Sequence, residues 1–179
     1  GVSTEPSLAL LRGLRPDLLL SIYFPERLPP SVLCLPRLAA VNMHPSLLPR
    51  HRGLLPCLYA LLDEDTSAGI TIHIMNERFD EGDILAQRSF VIDSRETYYS
   101  LQEKSLRLAG DMCAETPELL SGGLGPARPQ EPGSGSYHSW HNAKQYQRLK
   151  TSGRRYGTPR EFWRMLERLE RDLAARLAA

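Results

Sequence analysis

Three polar residues suited to proton-transfer chemistry lie close to the ends of apolar segments. Asn42 and His44 end the run that begins at Leu38, and Asp80 lies in the segment Phe79–Asp83. An asparagine amide can donate to a developing oxyanion, and a histidine, whose reference pKa is near neutrality, can give or take a proton. A carboxylate beside that histidine would raise its pKa by Coulombic pairing. These residue types are therefore suited to general acid–base catalysis.

The segment Leu38–His44 predicts a short buried strand that Pro45 ends. Side chains two residues apart share one face of a strand, so Asn42 and His44 should emerge together at its carboxyl end. In open α/β sheets, ligands bind at that end. Two structural alternatives remain at this point: a satisfied histidine beside a turn, and an acidic surface loop around Asp80.

The stretch from Asn42 to Asp83 resembles the active-site core of the folate-dependent formyltransferases. The resemblance is carried by Asn42-Met43-His44-Pro45-Ser46-Leu47-Leu48-Pro49, Arg52-Gly53, Pro56 and Phe79-Asp80-Glu81-Gly82-Asp83. It implies that Asn42, His44 and Asp80 are catalytic and that 10-formyltetrahydrofolate donates a formyl group to a primary amine. Arg52-Gly53 followed by Pro56 is similar to the methionyl-tRNA and sugar branches of the family. The implied acceptors are therefore an aminoacyl-tRNA or a nucleotide sugar.

The resemblance also implies where the folate lies. Candidate cofactor-binding residues are Phe24, Pro25, Glu26, Arg27 and Leu28 after one strand, Thr71 and His73 on one face of another, and Phe79 beside Asp80. Taken singly, Thr71 and His73 also fit a structural place in their strand. Relatives have a cis bond at the position of Leu48-Pro49, and we expect one here.

Two other functions stay open. A hydrolase would pass the formyl group to water with the same three residues, although the Arg52-Gly53 and Pro56 pattern argues against it. A non-catalytic folate-binding or interaction module is the other. This second hypothesis arises because the segment Arg15–Tyr23 resembles a middle strand of the family. The resemblance thus implies a catalytic core that lacks its N-terminal β-α units.

Strands and helices alternate along the first two thirds of the sequence. Predicted helices are Ser7–Leu14, Pro30–Leu35, Pro56–Leu62 and Thr97–Leu120, the last interrupted at Pro117; predicted strands are Leu18–Tyr23, Ala39–His44, Gly69–Met75 and Ile84–Ile92. This order predicts an α/β fold with a doubly wound, mostly parallel sheet of the formyltransferase-like Rossmann type. The last two strands, joined by a loop, could pair antiparallel at the edge.

Composition divides the chain into three predicted parts: a catalytic core at 1–121, a Gly/Pro-rich linker at 122–136 and a basic appendage at 137–179. The appendage has ten Lys/Arg against four Asp/Glu, a net charge of +6, which leaves −5 for residues 1–136 of the total of +1. It contains an amphipathic helix from about Pro159, with an apolar stripe at Phe162, Leu166, Leu169, Leu173 and Leu177. The basic residues could hold an anionic acceptor or form a solvated surface.

The overall composition, with 41% hydrophobic and 24% charged residues, is that of a soluble globular protein. No apolar run approaches the ~20 residues of a membrane helix. Cys34, Cys57 and Cys113 are widely spaced, which predicts neither disulfides nor a zinc site and favours a reducing, cytoplasmic location. His44, His51 and His73 lack HExxH spacing, so no metal is predicted, and the oligomeric state is left open.

Overall fold

The computed structural model describes residues 2–24 and 26–177. Its helices are α1 (Glu5–Leu14), α2 (Pro30–Leu33), α3 (Pro56–Leu62), α4 (Tyr98–Leu120), α5 (Ala143–Thr151) and α6 (Pro159–Leu177). Its strands are β1 (Leu18–Ile22), β2 (Ala39–His44), β3 (Arg52–Gly53), β4 (Ser67–Ile74), β5 (Ile84–Val91) and β6 (Tyr137–His138). The predicted bounds of β2 and α3 are confirmed. Proline suits the first turn of α3 because its missing N–H has no partner there.

The main sheet has the strand order β1-β2-β4-β5. The α/β class is confirmed, as is the antiparallel pairing of β4 with β5, while β1 and β2 run parallel. The pairing of β2 with β4 is antiparallel, which differs from the expected mostly parallel sheet. The reason is that the chain leaves β2 and enters β4 at the same end of the sheet. A parallel pair would need a crossover back to the opposite end.

The antiparallel register decides which side chains meet. Asn42 lies directly opposite His73, and His44 lies opposite Thr71. Residues directly opposite in an antiparallel pair have neighbouring side chains on the same face. This register therefore collects four polar residues on one face at the end of β2.

The described core divides into three clusters. One joins α3 to α4 and includes Leu149 of α5; a second covers one sheet face with Val41, Met43, Ile70 and Ile72 against α4; a third lies under α1 and α2. Core burial on both sides of β4 holds that strand rigidly. The polar face is thus built on a well-packed support.

Helix α4 runs without a break through Pro117, so the predicted interruption was wrong. Pro117 cannot donate to the carbonyl of Cys113, but it lies in the last turn before the helix ends at Leu120, so this one bond is lost close to the helix end. At the other end, Thr97 accepts from the backbone N–H of Ser100, and the Ser100 hydroxyl accepts from the backbone N–H of Thr97. This capping box sets the start of the helix beside the candidate site.

The Gly/Pro-rich segment 122–136, all of which the structure describes, forms no helix or strand apart from one bridge. At that bridge, Ile84 and Arg128 exchange two backbone hydrogen bonds of 2.8 Å. Further along, Gln130, Ser134 and Ser136 bond to the region around β3. The segment therefore lies as a strap across the core, and the domain division stays a prediction.

Residues 137–177 lie against the core. β6 pairs with β3, Leu149 of α5 is buried, and α6 packs along α4. Met165 is the buried residue of α6, and Arg168 binds Glu103 through bonds of 2.8 and 2.5 Å. Leu166 and Leu173 of the predicted stripe are exposed, because α6 contacts α4 through a narrower face. Among the described helices, none is long and apolar enough to span a bilayer.

Candidate active site

A cluster of polar side chains lies at the end of β2. It contains Asn42, His44, His73 and Asp80, and we call it the polar cluster. Asn42 Nδ2 donates to Asp80 Oδ1 at 3.2 Å and lies 3.2 Å from His73 Nε2. The nitrogens His44 Nδ1 and His73 Nε2 each lie 3.5 Å from the same Asp80 oxygen. The structure thus brings together the three residues predicted to be catalytic and adds His73 to them.

Asp80 is held by its backbone as well as by its carboxylate. Its φ is +55°, and its Oδ2 accepts the Gly53 N–H at 2.8 Å. Gln130 of the strap donates to the carbonyl oxygens of Asp80 at 2.9 Å and Gly82 at 2.8 Å. Gly82 has to be glycine, since a Cβ would lie 1.7 Å from the Ile74 oxygen. Asp80 is 8% exposed, so the alternative of an acidic surface loop is wrong for this residue.

The contact of His44 with the His51 carbonyl determines which of its ring nitrogens carries the hydrogen. His44 Nε2 lies 2.8 Å from the His51 carbonyl oxygen, which can only accept, so Nε2 carries the hydrogen. Nδ1 is then the acceptor of the neutral ring, and it faces Asp80. Burial lowers the pKa of His44, and the charge of Asp80 and the His51 carbonyl oppose this only in part. His44 is therefore a neutral base near pH 7.

Asp80, in contrast to the neutral His44, is ionised. Burial alone would raise its pKa, but the His73 side chain, the positive charge that His44 carries when protonated, and the Gly53 N–H together hold the pKa below its ordinary value. His73 Nδ1 donates to the Ile74 oxygen at 2.9 Å, so Nε2 is the ring nitrogen that faces Asn42. An ionised carboxylate thus lies beside the free nitrogen of a neutral imidazole.

A cavity of about 320 Å³ opens onto the polar cluster. Asn42, His44 and Asp80 line it together with aromatic residues from four separate parts of the chain: Tyr23, Phe24, Phe79, Tyr98, Tyr137 and Trp140. Aromatic rings present flat apolar faces that stack on planar ligands. The cavity is therefore suited to a molecule that carries a ring system and a reactive polar end.

The predicted folate residues have different positions. Phe24 and Phe79 line this cavity, while Glu26, Arg27 and Leu28 line a smaller one that also touches Asn42, His73 and Asp80. Leu28 is largely buried in the core with Leu8 and Val32. Pro25 lies outside the described residues.

Thr71 is fully buried and has a structural task. Its hydroxyl donates to the Ser46 oxygen at 2.6 Å and accepts the Leu48 N–H at 3.1 Å. It therefore holds the loop after β2 instead of lining the folate cavity, which corrects the expectation for this residue. The predicted cis bond at Leu48-Pro49 is present in that loop.

Sequence reasoning missed several residues at the cavity. Tyr98 and Gln102 come from α4, and Tyr137 and Trp140 come from the segment predicted to be an appendage. No local motif marks them, because they reach the cavity only through the packing of α4 and the pairing of β6 with β3. For Tyr98, Tyr137 and Trp140, aromatic character was the one available signal.

Several arginines of the basic segment, for which an anionic-acceptor site and a solvated surface were the two alternatives, bind within the chain. Arg148 donates to the Leu62 oxygen at 3.1 Å, Arg154 to the Asp93 oxygen at 2.8 Å, and Arg155 lies 3.3 Å from a Glu161 oxygen. The contacts of Arg148 and Arg154 attach the basic segment to the core, while that of Arg155 lies within the segment. Their charges remain near the surface.

Comparison with known proteins places the chain among enzymes of one kind. A family model described as "Formyl transferase" matches residues 3–116. The methionyl-tRNA formyltransferase of Syntrophus aciditrophicus is 36% identical over 137 residues, covering 76% of this chain and 44% of that protein. That of Ehrlichia ruminantium is 41% identical over 105 residues, covering 59% of this chain and 35% of that protein. The chain thus spans less than half the length of these relatives.

A solved structure is similar over a larger share of its own length. The formyltransferase PseJ from Anoxybacillus kamchatkensis, crystallised with UDP-4,6-dideoxy-4-formamido-L-AltNAc and tetrahydrofolate, is 28% identical to this chain. The match has a TM-score of 0.66 and covers 82% of this chain and 76% of that one. The fold of the described residues is therefore one that formyltransferases use.

Proposed function

We propose, because this chain belongs to the formyl transferase family, that it transfers a formyl group from 10-formyltetrahydrofolate to a primary amine. The observation that carries the proposal is the meeting of Asn42, His44 and Asp80 at the wall of an aromatic cavity. The relatives named above act on methionyl-tRNA, and the similar solved structure contains a nucleotide sugar and tetrahydrofolate. An aminoacyl-tRNA or a nucleotide sugar is accordingly the proposed acceptor.

Transfer requires the amine to lose a proton as its nitrogen attacks the formyl carbon. His44 Nδ1 is the acceptor for that proton, since Nε2 is held by the His51 carbonyl. The imidazolium that forms is stabilised by Asp80, whose Oδ1 lies 3.5 Å from Nδ1. When the bond from the formyl carbon to the folate nitrogen breaks, the imidazolium returns the proton to that nitrogen, and tetrahydrofolate leaves.

The attack also places negative charge on the formyl oxygen. Asn42 is the nearby uncharged donor, but both hydrogens of its Nδ2 have acceptors, Asp80 Oδ1 and His73 Nε2. We expect the formyl oxygen to replace His73 as one of these acceptors, because an oxyanion accepts more strongly than a neutral imidazole. His73 then has the task of orienting Asn42 before the donor binds.

The rest of the cavity is suited to the donor and acceptor. Phe24 and Phe79 offer ring faces to the planar part of the folate, and Tyr137 and Trp140, which also line the cavity, are proposed to contact the acceptor. Cys34, Cys57 and Cys113 are free thiols, as expected for a reducing compartment, and we propose that the reaction takes place in the cytoplasm.

The test follows the formyl group. The chain is incubated with 10-formyltetrahydrofolate alone, with methionyl-tRNA, and with an amino-sugar nucleotide, and both tetrahydrofolate and the formylated amine are measured. We expect tetrahydrofolate to form only when an acceptor is present, in equal amount to formylated amine. Release without an amine would identify a hydrolase. Folate binding without release, measured by calorimetry, would identify a non-catalytic module, and either result overturns the proposal.

A further inference from the structure

A second group of histidines and carboxylates lies where the core meets residues 137–177. His51, Asp63 and His138 place one ligand atom each within 4.8 Å of one another, and we call them the seam cluster. His51 Nδ1 lies 3.2 Å from His138 Nε2 and 4.0 Å from Asp63 Oδ2. Imidazole nitrogens and a carboxylate oxygen are the donor types that zinc prefers.

The free lone pair of His51 points into this cluster. His51 Nε2 lies 2.7 Å from Asp65 Oδ2, and the carboxylate only accepts, so the hydrogen is on Nε2. Nδ1 of the neutral ring is then the acceptor nitrogen and faces His138. A carboxylate that fixes the outer nitrogen of a metal-binding histidine is the usual supporting contact at zinc sites.

His138 is also held in position by its neighbours. Its ring stacks on Tyr59 with a centroid distance of 3.7 Å and an interplanar angle of 9°. Its backbone is paired with Gly53, and its carbonyl accepts the Leu54 N–H at 2.9 Å. Gly53 permits this pairing, since a Cβ would lie 2.2 Å from the His138 oxygen. Two imidazoles are thus oriented before any ion binds.

We propose that the seam cluster binds one divalent ion of the zinc type through His51 Nδ1, His138 Nε2 and one Asp63 oxygen. Zinc–nitrogen bonds of about 2.0–2.1 Å at tetrahedral angles separate two donors by about 3.3 Å, close to the 3.2 Å found here. Asp63 Oδ2 lies 4.0 Å from His51 Nδ1 and has to move about 0.7 Å closer to reach the same separation. Its side chain is partly exposed and can make that shift.

Asp63 is expected to be the weakest of the three ligands. Its other oxygen, Oδ1, lies 3.5 Å from Arg148 Nη2, and that positive charge reduces the attraction of the carboxylate for a cation. Three protein ligands leave a fourth tetrahedral position for water. Without an ion, His138 Nε2 donates a hydrogen to His51 Nδ1; when the ion binds, the His138 ring loses this proton from Nε2 and takes one from water on Nδ1, so that both facing nitrogens offer lone pairs.

The ion would join two distant segments, since His51 and His138 are 87 positions apart in the sequence. Binding to the folded state alone stabilises it in proportion to the logarithm of ion concentration over Kd. The His51 carbonyl also accepts the hydrogen bond from His44 Nε2 at 2.8 Å. The site would therefore steady the residue that sets the His44 tautomer.

The test uses the untagged chain, stripped of metal with a chelator and titrated with Zn²⁺ in a calorimeter and with Co²⁺ by visible absorption. We expect one ion per chain, a cobalt spectrum typical of tetrahedral nitrogen and oxygen ligands, and a Tm that rises with Zn²⁺. His138→Phe keeps a ring against Tyr59 and removes the ligand atom, so binding should weaken by at least about 100-fold. Asp65→Asn should weaken it by about 10–100-fold through the lost support of His51.

His141→Phe is the matched control, since it makes the same change three residues away, outside the seam cluster, and should bind Zn²⁺ like the wild type. Circular dichroism without metal checks that each variant folds. If His138→Phe does not fold, the near-isosteric Asp63→Asn takes its place and should also weaken binding. An unchanged cobalt spectrum in the wild type, or equal losses in the His138 and His141 variants, would overturn the proposal.

Discussion

The polar cluster and the seam cluster each contain two histidines and one aspartate, and they are joined by the hydrogen bond from His44 Nε2 to the His51 oxygen. They differ in how each histidine is held. In the polar cluster, Nε2 of His44 is bound to a backbone carbonyl and Nδ1 faces the carboxylate of Asp80. In the seam cluster, Nε2 of His51 is bound to the carboxylate of Asp65 and Nδ1 faces another imidazole.

This difference separates two uses of histidine. A general base needs an anion beside its free nitrogen, because positive charge appears there when it takes a proton. A metal ligand needs its free lone pair to point towards the lone pairs of the other ligands, while an anion binds the N–H of its second ring nitrogen. The partner of each ring nitrogen, more than the residue type, therefore assigns the chemistry.

The largest expected effect tests the base. His44→Ala should lower formyl transfer by about 10²–10⁴-fold, the range for loss of a general acid–base group. His141→Ala removes a histidine outside both clusters and should transfer at the wild-type rate. The measurement is the initial rate of formylated amine formation, with circular dichroism to verify folding. Near-wild-type turnover by His44→Ala would mean that the polar cluster is not the catalytic one.

Asp80→Asn tests the anion beside the base. Transfer should slow by at least about 10²-fold while folate binding persists, because the cavity keeps its shape. The wild-type rate should fall as the pH decreases through the His44 pKa, which lies below the ordinary 6.5. Since the Asp80 charge raises the pKa of His44, its removal should move this acidic limb to lower pH. Glu81→Gln, one position away, should leave the limb in place, and an upward shift in Asp80→Asn would contradict the assignment.

Gln130→Glu tests whether the polar cluster and the seam cluster act independently. A carboxylate can still accept from Arg52 but cannot donate to the carbonyls of Asp80 and Gly82, so the Asp80 loop should loosen. The expected cost is about 1–3 kcal/mol of unfolding free energy, together with slower transfer, while Co²⁺ binding is unchanged. Glu131→Gln, which reverses the change at an exposed neighbour, should alter neither. Loss of Co²⁺ binding in Gln130→Glu would show that the two clusters are not independent.

The smallest expected effect is on the pH dependence of the unfolding free energy, measured by urea unfolding without metal. Burial lowers the folded-state pKa of both His44 and His138. Below pH 6.5 the unfolded chain then binds more protons than the folded one, so stability should fall as the pH decreases from 6.5 towards the folded-state values. Each histidine contributes a slope of at most about 1.4 kcal/mol per pH unit. His138, only partly buried, should contribute less, and a steeper loss in His44→Gln than in the wild type would contradict this.

Local sequence patterns predicted much of the polar cluster. The bounds of β2, the shared face of Asn42 and His44, and the start of α3 at Pro56 all follow from residues within one element. Alternation and proline placement act over a few neighbouring residues, so they can be recognised without the fold. The cis bond at Leu48-Pro49 was expected from the family resemblance.

The features that were missed all depend on contacts between residues far apart in the sequence. The antiparallel register of β2 with β4, which places His73 beside Asn42, depends on the path of the chain between them. Thr71 became a loop-holding residue through the same register. The strap could be recognised as irregular from its glycines and prolines, but the contacts of Gln130 with Arg52 and the Asp80 loop span 78 and 50 positions.

The sequence by itself determined that Asn42, His44 and Asp80 are available for acid–base chemistry and that two of them share a strand end. The tertiary structure alone decided which group faces the acceptor nitrogens of His44 and His51, because Asp80 and His138 come from segments far along the chain. His51 and His138 have no sequence spacing typical of a metal site, and only the pairing of β3 with β6 places them 3.2 Å apart. The burial that lowers the pKa of His44, and the neighbouring groups that hold the pKa of Asp80 below its ordinary value, are likewise properties of the packed molecule.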